Sequence, residues 1–354
     1  LVRVPLGRRE VPGVVWLGDA VAAQQSERVL RPVTQALSSL APLPGAWRDL
    51  VEFTARYYQR ALGEVALAVL PPELRKLDDA ALARRLRRLA SRTDTPVAEP
   101  PCRPELSTDQ AAACAALAPA CRGEAPPACH LLWGVTGSGK TEVYLRAAEA
   151  ALSAGRQALV LVPEINLTPQ LEARFAARFP GRRLVSLHSG LTPPQRLQHW
   201  LAAHTGQADL VLGTRLAIFC PLPRLGLVVV DEEHDPSYKQ QDGARYSARD
   251  LAVYRGHLEK VPVLLGSATP SLESWQLAQS GRYRLLTLSE RIGQGELPRV
   301  TLLDMTRQPK PPAGREAPAL AQALLAAIRQ RVERAEQSLL FLNRRGDRKS
   351  TRLN

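Results

Sequence analysis

GVTGSGKTEVYL, Gly134 to Leu145, follows the short apolar run LLW (Leu131–Trp133) and opens a helical pattern, TEVYLRAAEAALSA, that stops at Gly155. Every fixed position of G-x-x-x-x-G-K-[ST] is met, with the strand before it and the helix after it that separate this motif from a chance Gly-rich turn. Glycines let the backbone curl until its N–H groups converge on an anion, and the start of the next helix adds the positive end of its dipole. Gly134, Thr136, Gly137, Ser138, Gly139, Lys140 and Thr141 are therefore expected to cradle ATP. Lys140 should reach the β- and γ-phosphates, and the Thr141 hydroxyl should bind Mg2+. The motif alone does not choose a reaction, since kinases and GTPases share it.

Outward from this turn the chain alternates short, fully apolar runs with helical patterns. ALVLVP, RLVSLH, ADLVLGT, LGLVVVDE, VPVLLGS and SLLFLN read as strands. Thr168 before Pro169, and Thr192 before Pro193, are helix-start signals. Apolar strands bounded by turns and separated by helices predict an α/β fold with a mostly parallel, doubly wound sheet covered on both faces.

The acids choose the chemistry. VVVDEEHDPSYKQQDGARYSARD, Val228 to Asp250, places DEEHD where a buried strand ends, at the edge where such a sheet keeps its ligands. Asp231 is expected to hold Mg2+, Glu232 to orient and deprotonate the attacking water, and His234 to report the γ-phosphate state to a neighbouring segment. These are the candidate catalytic groups, with Lys140.

Bulk properties agree with a large globular protein. The chain has 354 residues, 45% hydrophobic, with a formal net charge of +13. That surplus favours polyanionic partners, although charge alone leaves nucleic-acid binding and an Arg-for-Lys surface equally open. The five cysteines (Cys102, Cys114, Cys121, Cys129, Cys220) form no C-x-x-C pair. They read as reduced, buried thiols of a cytosolic protein and not as a zinc framework. No apolar run is long enough to cross a bilayer, and no membrane partner is expected. The chain opens at Leu1 on a strand-like LVRVP, which suggests that the natural start lies upstream.

Residues 1–74 read as a small α+β module: LVRVPL and VPGVVWL around Gly7-Arg8-Arg9, a helical pattern from Gly45 to Leu62, and a stop at Pro71-Pro72. Residues 75–104 read as a connector, a basic amphipathic helix on Leu82, Leu86 and Leu89 followed by a Pro-rich linker. Its arginines are most simply a solvated face. The lobe follows over residues 105–300, and 301–346 should finish it and begin a second half.

A carboxylate run of the form D-E-x-H after a P-loop marks the superfamily-two helicases and translocases, and this chain resembles them. GSATP (Gly266–Pro270) matches their coupling element, so Ser267 and Thr269 would link hydrolysis to movement. GTR (Gly213–Arg215) matches a DNA-contacting element, which points to Thr214 and Arg215. LSTDQ ends at Gln110, where these enzymes read adenine. Within that group, LVPEINLTPQ, LHSGLT, DEEHDPSYKQQDGARYSARDLAVYRG, LGSATPSLES and LLFLNRRG are similar to the primosomal replication-restart helicases over Leu106 to Gly346. VPLG (Val4–Gly7), LRPV (Leu30–Val33) and YYQRALGEVALAVLPPELR resemble that family's domain for the 3′ end of a DNA strand.

The resemblance implies a RecA-like lobe behind an end-binding domain. It implies a 3′-to-5′ DNA helicase that restarts stalled forks, with ATP and Mg2+ as cofactors. Forked and single-stranded DNA, single-strand-binding protein and other primosome proteins would be partners, in the bacterial cytoplasm at the nucleoid. Gly7 and Arg31 would lie at the pocket for the terminal nucleotide. The stretch after DEEHD would be an aromatic-rich loop that senses single-stranded DNA. The residue types agree: Tyr238 and Tyr246 offer ring faces for bases, and Lys239, Arg245 and Arg249 offer phosphate contacts.

Three departures from the family pattern stand out. The connector is too short for the winged-helix domain found in many relatives. The zinc-binding cysteines, the second motor lobe and its arginine should follow LLFLNRRG, so the residues in hand are expected to bind ATP with Mg2+ but to hydrolyse it poorly and not to unwind duplexes. The tail 347–354, DRKSTRLN, is unrelated to the pattern and reads as a frameshift or a cloning or sequencing scar. Two other functions stay open: another superfamily-two translocase, or a fork-binding platform whose ATPase is secondary.

Overall fold

The computed structural model describes residues 1–16, 31–91, 103–292, 299–307 and 320–341. It divides into two units, Leu1–Gly293 and Gln294–Asn354.

The first unit opens with a three-stranded antiparallel sheet, β1 (Val2–Leu6), β2 (Arg9–Gly13) and β3 (Gln35–Ala36), in the order β2-β1-β3. Gly7 and Arg8 make the hairpin turn, and Gly7 takes φ +62°, the left-handed geometry that two-residue hairpins require. Helices α1 (Gly45–Tyr57), α2 (Leu62–Ala68) and α3 (Asp79–Ala90) follow. Pro71 and Pro72 break the chain between α2 and α3 into one 3-10 turn, Pro72–Lys76.

The lobe adds α4 (Thr108–Arg122), β4 (Cys129–Gly134), α5 (Lys140–Ser153), β5 (Gln157–Leu161), α6 (Pro169–Arg178), β6 (Leu184–Leu187), α7 (Pro193–His204), β7 (Leu210–Gly213), β8 (Leu225–Val230), α8 (Ala248–Glu259), β9 (Val263–Ser267), α9 (Leu272–Gln279) and β10 (Arg284–Leu288). Its seven strands are all parallel, in the order β10-β4-β9-β8-β5-β7-β6. Alternate residues of each strand enter different apolar layers. Leu159, Leu161, Val228, Val230 and Leu265 pack with α7 and α8, while Ala158, Val160, Val229 and Leu264 pack with α4, α5 and Phe175 of α6. Both faces are covered, which is why the strands carry no polar alternation. Thr168 and Thr192 cap α6 and α7, each with proline as the first helical residue.

The structure departs from the sequence expectations in three places. Arg284–Leu288 is an added edge strand, hydrogen-bonded to β4. Its pattern is half-exposed, unlike the apolar runs that announce the inner strands. SLLFLN is not a strand where it is described: 338–341 lie outside any strand, with Leu339 and Phe341 exposed. A strand exists only where a neighbour pairs its backbone, and no ladder includes these residues. Lastly, α1–α3 do not form a self-contained core. Trp47, Leu50, Leu74, Leu82 and Leu89 share one apolar layer with α7 and α8. The Trp47 indole donates to the Phe219 carbonyl at 2.8 Å, and Phe53 stacks on Tyr254 with ring centroids 3.7 Å apart. The basic helix does form as α3, while the Pro-rich linker up to and including Cys102 lies outside the described residues.

In the second unit the described residues form a 3-10 turn at Met305–Arg307 and α10 (Gln322–Glu333), which buries none of its residues. The tail 347–354 lies outside the described residues.

Candidate nucleotide site

Strand order brings the chemistry together. β9 lies between β4 and β8, so the P-loop, the GSAT segment and DEEH emerge from three adjacent strands at their carboxyl ends. Gly137 and Gly139 take φ +85° and +79°, and Ser138 N–H donates to the Val135 carbonyl at 3.0 Å. A side chain at Gly134 would come within 2.5 Å of Ser138 Oγ. The buried Lys140 ammonium donates to the Gly134 carbonyl at 2.9 Å. Thr141, one residue on, is half-exposed at the same helix start, while Thr136 is exposed on the turn.

Gln110 is not placed to read a base in this conformation. It caps α4 with Ser107, accepting from the Ser107 N–H at 3.0 Å, and its amide donates to the Ser138 carbonyl at 3.1 Å. Only 1% of it is exposed. Both ends of the amide are used, and what it holds is the phosphate turn.

Asp231 sits at the end of β8. Among the described residues its side chain accepts two hydrogen bonds, both on Oδ1, from the Tyr144 phenol at 2.9 Å and from the Glu232 N–H at 3.0 Å. Burial raises its pKa, against the opposing pull of the Tyr144 hydrogen bond and the Lys140 charge. A desolvated carboxylate of this kind gains from a cation. Tyr144 stands one helical turn beyond Lys140 and is fully buried, so its phenol stays protonated and donating. In the sequence this tyrosine carries no signal of its role, since a Tyr at helical spacing reads as core.

Gly266 makes room for it. A Cβ there would overlap Tyr144 Oη and lie 2.7 Å from Cζ. Gly266→Ala is therefore expected to cost about 1–3 kcal/mol of stability through overpacking. Urea unfolding checks this, and combining it with Tyr144→Leu should cost less than the sum of the two single changes.

Glu232 adopts φ +45°, a conformation that non-glycine residues hold only where their surroundings impose it. Here the neighbours are pinned: Glu233 N–H donates to the Gly266 carbonyl, and Asp235 N–H to the Glu232 carbonyl. His234 Nδ1 lies 3.7 Å from the Glu232 carboxylate and 2.8 Å from Ser267 Oγ, and its Nε2 is 3.4 Å from Thr269 Oγ1. DEEH and GSAT thus touch through His234, Ser267 and Thr269.

Glu233, also passed over in the sequence, is the connector. Its side chain is wholly buried and accepts from Ser271 N–H at 2.6 Å, Ser271 Oγ at 3.1 Å, Ser274 Oγ at 2.8 Å and Arg249 at 3.3 Å. It joins the acid run to the start of α9 and, through Arg249, to α8.

The loop after DEEHD corrects an expectation. Tyr238 and Tyr246 are 2% and 5% exposed, so neither offers a face for a base in this conformation. The Tyr238 phenol donates to the Asp231 carbonyl at 2.6 Å, and Tyr246 packs edge-on against Phe219. Arg215 of GTR donates to the Ser237 carbonyl at 2.8 Å and the Lys239 carbonyl at 3.3 Å. It braces the loop from beneath, beside the half-exposed Thr214. The exposed cations are Lys239, 5.2 Å above the Tyr58 ring, and Arg245. In the small sheet, Arg31 reaches the Gly7 carbonyl at 2.9 Å, so those two residues do lie together, on the surface. The described thiols are shielded: burial lifts Cys114 to about 11 and Cys121, Cys129 and Cys220 to about 12.

These groups fit a nucleotide with Mg2+. Ser138 Oγ is buried without a hydrogen-bond partner inside the phosphate turn, the Lys140 ammonium has among the described residues only the Gly134 carbonyl to leave, and Asp231 presents a half-buried carboxylate.

Residues 1–71 match the 3'DNA-binding domain (3'BD) of PriA, and residues 109–277 match the DEAD/DEAH box helicase family. The replication restart protein PriA of Bacillus subtilis is 44% identical over 216 residues, 61% of this chain and 26% of that protein. That of Treponema pallidum is 42% identical over 297 residues, 82% of this chain and 41% of that protein. That of Rickettsia felis is 34% identical over 347 residues, 98% of this chain and 50% of that protein. The chain thus spans a quarter to a half of these relatives. A 3′-DNA-binding module followed by a DEAD/DEAH box lobe thus makes up a chain that is similar, over as much as 98% of its length, to replication restart proteins named PriA.

Proposed function

We propose that this chain supplies the DNA-end-binding and nucleotide-binding part of an ATP-driven 3′-to-5′ DNA helicase that reassembles the primosome at stalled forks. Single-strand-binding protein and other primosome proteins would be its partners in the bacterial cytoplasm. Lys140 would leave the Gly134 carbonyl for the β- and γ-phosphates. Thr141 and Asp231 would hold Mg2+, which supplies positive charge against the phosphate oxygens. Glu232 would take the proton of the attacking water. Tyr144 fixes the Asp231 carboxylate from the helix that carries Lys140.

The observation that carries the reading is the Tyr238 phenol on the Asp231 carbonyl, in a loop braced by Arg215. The loop carrying Lys239 and Arg245 therefore ends on the backbone of the Mg2+ carboxylate. A DNA strand engaging those cations has a mechanical route to Asp231 without stacking on either tyrosine. A shift of this kind needs binding that differs between the two loop states.

The test is ATP hydrolysis with and without a single-stranded oligonucleotide. Lys140→Ala should abolish hydrolysis in both. Tyr238→Phe, which removes only the hydroxyl, should lower the ratio of stimulated to basal rate several-fold. An unchanged ratio would discard the coupling route.

A further inference from the structure

The arginines of α3 were most simply a solvated face when read in the sequence, but their surroundings assign them more. α3 is fixed at both edges. Asp78 caps it, accepting from the Ala81 N–H at 2.6 Å, and Leu82 and Leu89 are 0% and 4% exposed in the layer shared with the lobe. Arg84, Arg85, Arg87 and Arg88 are exposed across the opposite half of the helix, and Lys76 is exposed just before it.

None of these five cations makes an ion pair among the described residues. Of the three nearby acids, Glu73 in the preceding 3-10 turn forms no ion pair among the described residues and has one carboxylate oxygen buried, and the other two are committed elsewhere. Asp78 is the cap, and Asp79 accepts from Ser39 N–H, Ser39 Oγ and Ser38 Oγ, which hold its carboxyl below the usual carboxylate range. Arginines three and four apart on a helix are neighbours that repel. Here they stand together on a rigid face without the carboxylates that usually relieve them.

We propose that α3 is a contact surface for the phosphate backbone of duplex DNA. The face carries guanidinium groups suited to phosphate and no aromatic on which a base could stack, so it reads charge and not sequence. It directly follows the module matched as a 3'DNA-binding domain, which would put it beside a duplex arm when an end is held. The inference rests on the proposed fork-binding function.

The experiment measures binding of this chain to a forked duplex at a series of salt concentrations. The parent chain is compared with R84Q/R85Q/R87Q/R88Q and with the charge-conserving R84K/R85K/R87K/R88K. Removing one cation from one phosphate lowers the magnitude of the slope of log K against log salt by about 0.9 on duplex and about 0.7 on single strands. The glutamine variant is expected to take about 3–4 off the slope on the fork and far less on a single-stranded oligonucleotide, while the lysine variant keeps the parent slope. Unchanged far-UV circular dichroism and nucleotide affinity exclude misfolding. An unchanged slope on the fork, or an equal drop on single strands, overturns the duplex assignment. A parent chain that does not bind the fork at all overturns the underlying function instead.

Discussion

Glu232→Gln is expected to lower the rate of ATP hydrolysis by about 10²–10⁴-fold, the usual worth of a positioned general base, while nucleotide affinity stays near that of the parent. Glutamine keeps the shape and the hydrogen-bonding reach of the side chain but cannot take a proton. The site supports this split between binding and chemistry. Glu232 contributes nothing to the phosphate turn, which Gln110, Lys140 and the glycines build, and its carboxylate faces His234 at 3.7 Å. The measurement is single-turnover hydrolysis alongside equilibrium binding of a fluorescent nucleotide. A loss of less than ~10-fold would move the base role to another group.

Glu233→Ala is expected to be the costlier change for the fold, by about 3–5 kcal/mol, the range found when one partner of a buried charge pair is deleted. The carboxylate has no exposed surface and satisfies Ser271 twice, Ser274 and Arg249. Deleting it strands those donors, and a buried donor without an acceptor costs more than its hydrogen bond gained. Asp250 still pairs with Arg249 at 2.8 Å, which favours the lower end of the range. Urea unfolding gives the stability. Glu233→Gln, which accepts from the serines but carries no charge, should recover part of the loss. Equal stability of the alanine variant and the parent would remove Glu233 from its place as connector.

Much of the molecule was legible in its residues, for physical reasons. A phosphate turn needs glycines, a lysine and a helix start in fixed order, so GVTGSGKT announced itself. The inner strands are buried on both faces and therefore unbroken in apolar character. DEEHD was legible because acids directly after such a strand are costly without a job. What the residue types hid was partnership. Tyr238 and Tyr246 looked like base platforms because a tyrosine in a polar loop has no visible reason to be inside. Only the folded chain shows a carbonyl waiting for one phenol and Phe219 for the other ring. Gln110 had a visible capping partner in Ser107, yet its long-range hydrogen bond to the phosphate turn depended on where α4 lands. Glu233 stands between Glu232 and His234, and nothing local says that its carboxylate turns inward. β10 was missed because an edge strand keeps one side in solvent and loses the continuous apolar signal.

The layer that α1–α3 share with α7 and α8 has a mechanical meaning. Modules joined by a small polar seam swing against each other by default, whereas a large apolar seam suppresses that motion. Trp47, anchored to the Phe219 carbonyl, and Phe53 on Tyr254 leave this seam no hinge. Tension applied to the amino-terminal module would reach the nucleotide-site lobe undamped, as through a welded handle, so the two are expected to move as a single body.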